Sequence, residues 1–251
     1  MKKIKVQHIV LIIALLLIAS FIFAFVNSFT GNPVSAAIAS GKIREYAAAT
    51  YPALNLELSE VKYNFKNNAY GCTAQSKTSE DTVFTISFRG GKVTDDYAYE
   101  VANHFTTYRR LSKEFNDLVT PIIEKEYPHK TTLIIGDLAG DTQPLTPDKP
   151  LNLKELPLPL SLTVYVEDDV RDQAQMAALL LELHKLMQSK DIPIDQYSLR
   201  LEEPLPENEK PGSGDNLYLT DFPASKITDD LPSLAAAIKT HQAAIESADN
   251  K

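Results

Sequence analysis

The chain has 251 residues and a net charge of −8, with 44% hydrophobic residues and one cysteine, which suits one or two domains plus a further segment. Setting aside Lys2, Lys3 and Lys5 leaves 22 basic against 33 acidic residues, near −11; such a body excludes a nucleic-acid surface and argues against docking flat onto anionic lipid. Cys72 alone allows no intramolecular disulfide and no multi-thiolate metal site, and leaves the redox compartment open.

After the basic flank MKKIKVQH, the stretch Ile9 to Val26 reads IVLIIALLLIASFIFAFV without a charge. As a helix it covers about 27 Å, close to the hydrocarbon thickness of a bilayer. Lysines before it, and no charge after it until Lys42, Arg44 and Glu45, predict a cytoplasmic N-terminus and an extracytoplasmic body. A cleaved signal peptide shares this pattern. However, the apolar run exceeds the usual h-region, and the small-residue triplets Ser35-Ala36-Ala37 and Ala37-Ile38-Ala39 lie well past its end. An uncleaved anchor over residues 1–31 is expected.

Asn32-Pro33 looks like an N-cap followed by proline at the first helical position. The helix it opens runs from Val34 to Thr50, with Val34, Ile38, Tyr46 and Ala49 as its expected stripe, and stops at Tyr51-Pro52. The period then changes to two. Leu54, Leu56 and Leu58 alternate with polar neighbours, and Val61, Tyr63 and Phe65 resume after a slip at Ser59-Glu60 that suggests a bulge. Asn67-Asn68 is a hairpin turn, Ala69 to Ser76 the next strand, and Thr82 to Arg89 the third, ending at Gly90-Gly91. One helix over a three-stranded antiparallel meander gives an α+β module of cystatin-like shape.

Thr94-Asp95-Asp96 is then expected to cap a long helix with Val101, Phe105, Tyr108, Leu111, Phe115, Leu118 and Ile122 on one stripe. Pro121 should bend or end it, and Tyr127-Pro128 closes the first module, residues 32–128. In residues 129–251, Thr131 to Asp137 and Ser161 to Val166 read as strands. Between them, Asp141 to Pro159 holds five prolines and reads as a loop outside the core. Glu167-Asp168-Asp169 starts a helix over Val170 to Lys190, with Ala174, Ala177, Leu180, Leu181, His184 and Met187 facing inward. Tyr197 to Glu202 and Leu217 to Phe222 are strands, the polar residues 202–216 do not pack, and Ile227 to about Ala248 is a last helix with a break or start at Pro232. The order ββαββα indicates a two-layer α/β sandwich.

The run NPVSAAIASGKIREYAAATYPALNLELSEVKYNFKNNAYGCTAQS, continuing through DTVFTISFRGGKVTDDY and FTTYRRL, resembles the N-terminal domain of the YfjL-like family. The segment SLTVYVEDD…LYLTDF extends the resemblance more loosely into the second module. The resemblance implies a membrane-anchored protein of a Gram-positive bacterium. It implies no activity that transfers residue by residue.

No residue receives a catalytic, cofactor-binding or metal-binding role. His8, His104, His129, His184 and His241 are scattered, and no H-E-x-x-H occurs. Cys72 sits in a strand as a small hydrophobe. There is no G-x-S-x-G elbow. Ser59 and Lys62 have the S-x-x-K spacing, but three residues along a regular strand they face opposite ways, and only a bulge would bring them together. Asp95-Asp96 and Glu167-Asp168-Asp169 lack calcium-loop spacing and suit helix capping. Gly212-Ser213-Gly214 lacks the Lys-Ser or Lys-Thr of a phosphate loop. Tyr108-Arg109-Arg110 could meet an anion, yet a solvated basic edge explains it.

Two functional classes follow: a non-enzymatic envelope protein that binds another envelope protein or a cell-wall component, and an extracytoplasmic hydrolase or protease inhibitor whose site assembles only in the fold. Both start from an intact anchor. Fractionated without detergent, the protein is expected in the membrane at the intact mass of the chain; a soluble species lacking residues 1–37 is the opposing result.

Overall fold

The computed structural model describes residues 6–204 and 216–249. It is a mixed α+β protein with two sheets, dividing into compact units of residues 1–106 and 107–251.

The first unit opens on helix α1 (Val6–Thr30), apolar enough to cross a membrane over His8–Asn27. Gly31, at φ +72°, turns the chain where an added Cβ would lie 2.7 Å from Tyr63 Cβ, so only glycine fits. The expected cap is present. Asn32 Oδ1 accepts from Val34 N (2.8 Å) and Ser35 N (3.4 Å), and Pro33 begins α2 (Pro33–Thr50).

The buried stripe of α2 differs from the expected one. Ala39, Ile43 and Ala47 face the sheet, while Val34 and Ile38 are exposed. Small alanines let the helix approach the sheet closely, which a stripe chosen by side-chain size misses.

Strands β1 (Leu56–Leu58) and β2 (Lys62–Asn64) both pair antiparallel with β3 (Ala69–Ser76). Leu58 opposes Ala74 and Lys62 opposes Gly71, so three residues face two: the expected bulge. Next come β4 (Val83–Arg89) and, after Gly90-Gly91 with both φ positive, β5 (Lys92–Asp95). The meander gains β5 beyond the expected strands, because the two-glycine turn closes a tight hairpin, Arg89 opposite Lys92. Asp95 consequently anchors a strand end rather than capping a helix: it accepts from Tyr97 N (3.0 Å) and, at 2.5 Å, from the Tyr46 hydroxyl of α2. Tyr51, Phe84 and Tyr97 complete this core with ring centroids 4.9–5.2 Å apart.

The long helix is likewise corrected. A wide turn over Ala98–Ala102 ends at His104 in the left-handed region (φ 57°), and only then does α3 (Phe105–Glu126) begin. It runs through Pro121 rather than ending there. Its buried apolar residues are Leu111, Phe115, Val119 and Ile123, followed just past its end by Tyr127, whereas Leu118 is exposed. The sequence grouped this helix with the first module; its apolar face lies instead in the second core.

That core is built on a sheet ordered β6 (Thr131–Leu138), β7 (Leu160–Glu167), β8 (Gln196–Glu202), β9 (Leu217–Pro223). Only β7–β8 is parallel, joined across α4 (Gln173–Ser189). Leu160, Leu162, Val164 and Val166 alternate inward beside Tyr197, Leu199, Leu201, Leu219 and Phe222, and meet α3, α4 and α5 (Leu231–Asp249). The cap of α4 is Asp172, whose Oδ1 accepts from Gln175 N (2.8 Å), not the acidic trio before it. Its inward face holds Met176, Leu179 and Leu183 beside the expected Ala177, Leu180 and Met187. The proline-rich 141–159 segment is irregular as expected, yet Leu145 and Leu158 enter the core. Most of the polar 202–216 stretch, including Gly212-Ser213-Gly214, lies outside the described residues.

Gly136 of β6 shows how tightly α3 is seated. A Cβ there would come 2.7 Å from Val119 Cγ2 and 3.0 Å from Phe115 Cδ1, both buried and without room to withdraw. Gly136→Ala should cost about 1–3 kcal/mol by overpacking, whereas Gly41→Ala on α2, where the space is open, should gain about 0.5–1 kcal/mol. Urea unfolding of the full chain in detergent compares the two; equal midpoints would contradict this packing.

Candidate functional site

Because each sheet buries one face, its other face is free to bind. In the first unit that face is a concave trough of ≈ 740 Å³. One register row across it is Lys62, Gly71, Ser87 and Thr94. The next pairs Thr73 with Thr85, flanked by side chains that stand in for ladder bonds: Ser59 Oγ accepts from Thr73 N (2.9 Å), and Asp96 Oδ1 accepts from Thr85 N (2.6 Å). The floor is shallow because its residues are small and carry hydroxyls. Glu60, Lys62 and Asp96 supply charge of both signs along it. This arrangement can hydrogen-bond a polar chain. It does not enclose a reacting atom.

The bulge does turn Ser59 and Lys62 toward one trough. Ser59 Oγ is engaged with Thr73 N, and among the described residues no hydrogen bond joins it to Lys62. A nucleophile and its base need that contact. Cys72 is on the opposite, buried face, where desolvation pushes its thiol pKa up and away from reactivity.

Three of the histidines each engage a separate partner. His129 Nε2 lies 2.7 Å from Glu182 Oε2. His184 Nδ1 meets the Tyr197 hydroxyl at 3.0 Å. His241 Nε2 donates to Thr220 O (2.8 Å). His104 Nδ1 is buried without a hydrogen bond. Among the described residues no group of three or more His, Cys, Asp or Glu side chains is placed to hold a metal ion. Asp168 closes local turns, accepting from Val170 N (2.8 Å) and Gln175 Nε2 (2.6 Å). Arg110, expected on a solvated edge, is mostly buried; it pairs with Glu114 (2.7 Å) and donates to Lys149 O (2.8 Å).

The sequence did not single out the free face of the second sheet. Leu133, Tyr165, Arg200 and Tyr218 form one row across all four strands. The Arg200 guanidinium lies 5.0 Å from the Tyr165 ring centroid and 4.9 Å from that of Tyr218, and Arg200 Nε stands 3.1 Å from Glu202 Oε1. Leu133, Ile135 and Tyr218 are exposed beside it. The outward positions of SLTVYV, YSLRLE and LYLTDF held the signal, but matching them needs the strand register. Aromatic residues and arginine on an exposed face have the composition of an interface centre.

Two family models match the chain: "YfjL-like, N-terminal domain" over residues 3–97 and "YfjL-like C-terminal domain" over residues 114–235. No curated protein and no solved structure matches it.

Burial holds the His184 imidazole below its ordinary value of 6.5, with Asp229 opposing in part. The unfolded chain therefore takes up that proton before the folded one. Stability is full above about pH 6.5 and falls as the pH drops from there through the folded pKa. His184→Gln should flatten the decline in a series of melting temperatures against pH; an unchanged slope would place the titrating group elsewhere.

Proposed function

The chain belongs to the YfjL-like family, and on that footing we propose a membrane-anchored, non-enzymatic binding protein of the bacterial cell envelope. Helix α1 serves as the single-pass anchor over Ile9 to Val26, uncleaved, with Lys2, Lys3 and Lys5 favouring a cytoplasmic N-terminus. Everything after α1, with both sheets, stands outside the cell, in a Gram-positive envelope. The observation that carries the binding role is the shallow, hydroxyl-lined trough on the free face of the first sheet. Its groups suit a partner rich in hydroxyls and amides, such as a cell-wall component or an extended stretch of another envelope protein. The first unit, with α2 laid across its meander, has a cystatin-like shape, and fold analogy alone gives that shape no inhibitory role. Catalysis is disfavoured because His184 faces a tyrosine and Ser59 serves the backbone.

The buried Cys72 makes the location directly testable. Thr85→Cys in the trough should react with a membrane-impermeant maleimide on intact cells, while the natural chain stays unlabelled. A photo-crosslinking residue at Ser87 should then give reproducible adducts that are absent when it is placed at exposed Lys113. Labelling only after lysis would sink the extracytoplasmic placement; absence of trough adducts would sink the binding role.

A further inference from the structure

One basic stretch of the otherwise acidic body lies against the end of the anchor. Between Glu60 and Glu80 the chain has no carboxylate but carries Lys62, Lys66 and Lys77. The β2–β3 hairpin at its centre projects Phe65, which is 53% exposed, beside Lys66. Phe65 continues a ladder of rings that climbs α1: Phe21 to Phe25 at 6.5 Å, Phe25 to Phe29 at 5.1 Å, and Phe29 to Phe65 at 5.8 Å. The hairpin is held there. Asn32 N donates to the Tyr70 hydroxyl (2.7 Å), and the Gly31 turn leaves no room between the chain and Tyr63. Beside the ladder, a cleft of ≈ 840 Å³ has Phe23, Asn27, Val34 and Val61 on its walls.

From these placements we infer that the β2–β3 hairpin is a second membrane contact, with Phe65 seated at the headgroup–acyl boundary and Lys62 and Lys66 among anionic headgroups. The inference rests on α1 being the anchor. The apolar span ends at Asn27. Phe29 lies two residues on, roughly 3 Å along the axis at the helical rise. Each headgroup layer is about 5–7 Å deep, so Phe29 and its neighbour Phe65 fall within it. An exposed phenylalanine gains there what it lacks in water, and lysines beside it meet anionic lipid at short range. The body as a whole, near −11, is repelled from the same surface. The contact is therefore a point of attachment, not a flat face.

The chain has no tryptophan, so single substitutions give unambiguous reporters. Phe65→Trp and, as an independent probe of the anchor, Leu17→Trp are reconstituted full-length into bilayers containing anionic lipid, with brominated acyl chains as quenchers and iodide in the aqueous phase. The expected result is loss of Phe65→Trp emission to bromines near the headgroups, a blue shift, and protection from iodide, with Leu17→Trp quenched by deep bromines. If Leu17→Trp is quenched and Phe65→Trp is open to iodide and untouched by bromine, the hairpin contact is wrong and the anchor stands. If Leu17→Trp is not quenched, the anchor itself fails and the inference falls with it.

Discussion

A strand alternates its side chains between two faces, so a sheet can be apolar on one face only if the sequence keeps its register. Both sheets here obey that constraint, and the helices after α1 are arranged to satisfy it. In the first unit, Cys72, Ala74, Phe84 and Ile86 face α2, and the Tyr46–Asp95 hydrogen bond ties the helix to the far strand. In the second, three helices cover one apolar face. What is left over, a hydroxyl trough on one sheet and the Tyr165–Arg200–Tyr218 row on the other, is the surface available for recognition.

The second sheet also has to manage its edges, since unpaired N–H and C=O groups invite pairing with another chain. Along β6, Asn116 Oδ1 accepts from Gly136 N (2.9 Å) and Ser112 Oγ from Leu138 N (3.3 Å), both reaching across from α3. Along β9, the α5 side chains His241 and Gln242 donate to Thr220 O and Tyr218 O. Helix side chains thus occupy part of each edge, which disfavours strand addition there.

Local chemistry was legible in the sequence. Asn32-Pro33, the Ser59-Glu60 slip and Gly90-Gly91 each specify a backbone geometry through a few adjacent residues, and each geometry is present. What escaped depends on neighbours far along the chain. The α2 stripe runs over alanines because the sheet is close, and the α3 stripe advances by four residues from Leu111 to Tyr127 because the helix crosses β6 at Gly136. Thr94-Asp95-Asp96 reads as a helix start because Thr and Asp favour caps, yet hairpin pairing of Lys92 to Asp95 with β4 outweighs that preference. The trough left no signal at all: its defining property is the smallness of Gly71, Thr73, Thr85 and Ser87, which becomes a shape only once the strands are aligned.

The parallel pairing of β7 with β8 has a consequence for how the chain assembles as it is made. The strand pairs of the first unit are all antiparallel and join segments close in sequence, so that unit can close soon after its last strand emerges. The second cannot: β8 must wait for α4 to cross over, and α3, made before any of these strands, stays with its apolar stripe uncovered until they arrive. Non-local pairings of this kind slow folding and lengthen the time that greasy surface is exposed. The amphipathic α3 is therefore the segment in most need of a chaperone during biogenesis, and the one where a slowed ribosome would first turn into aggregation.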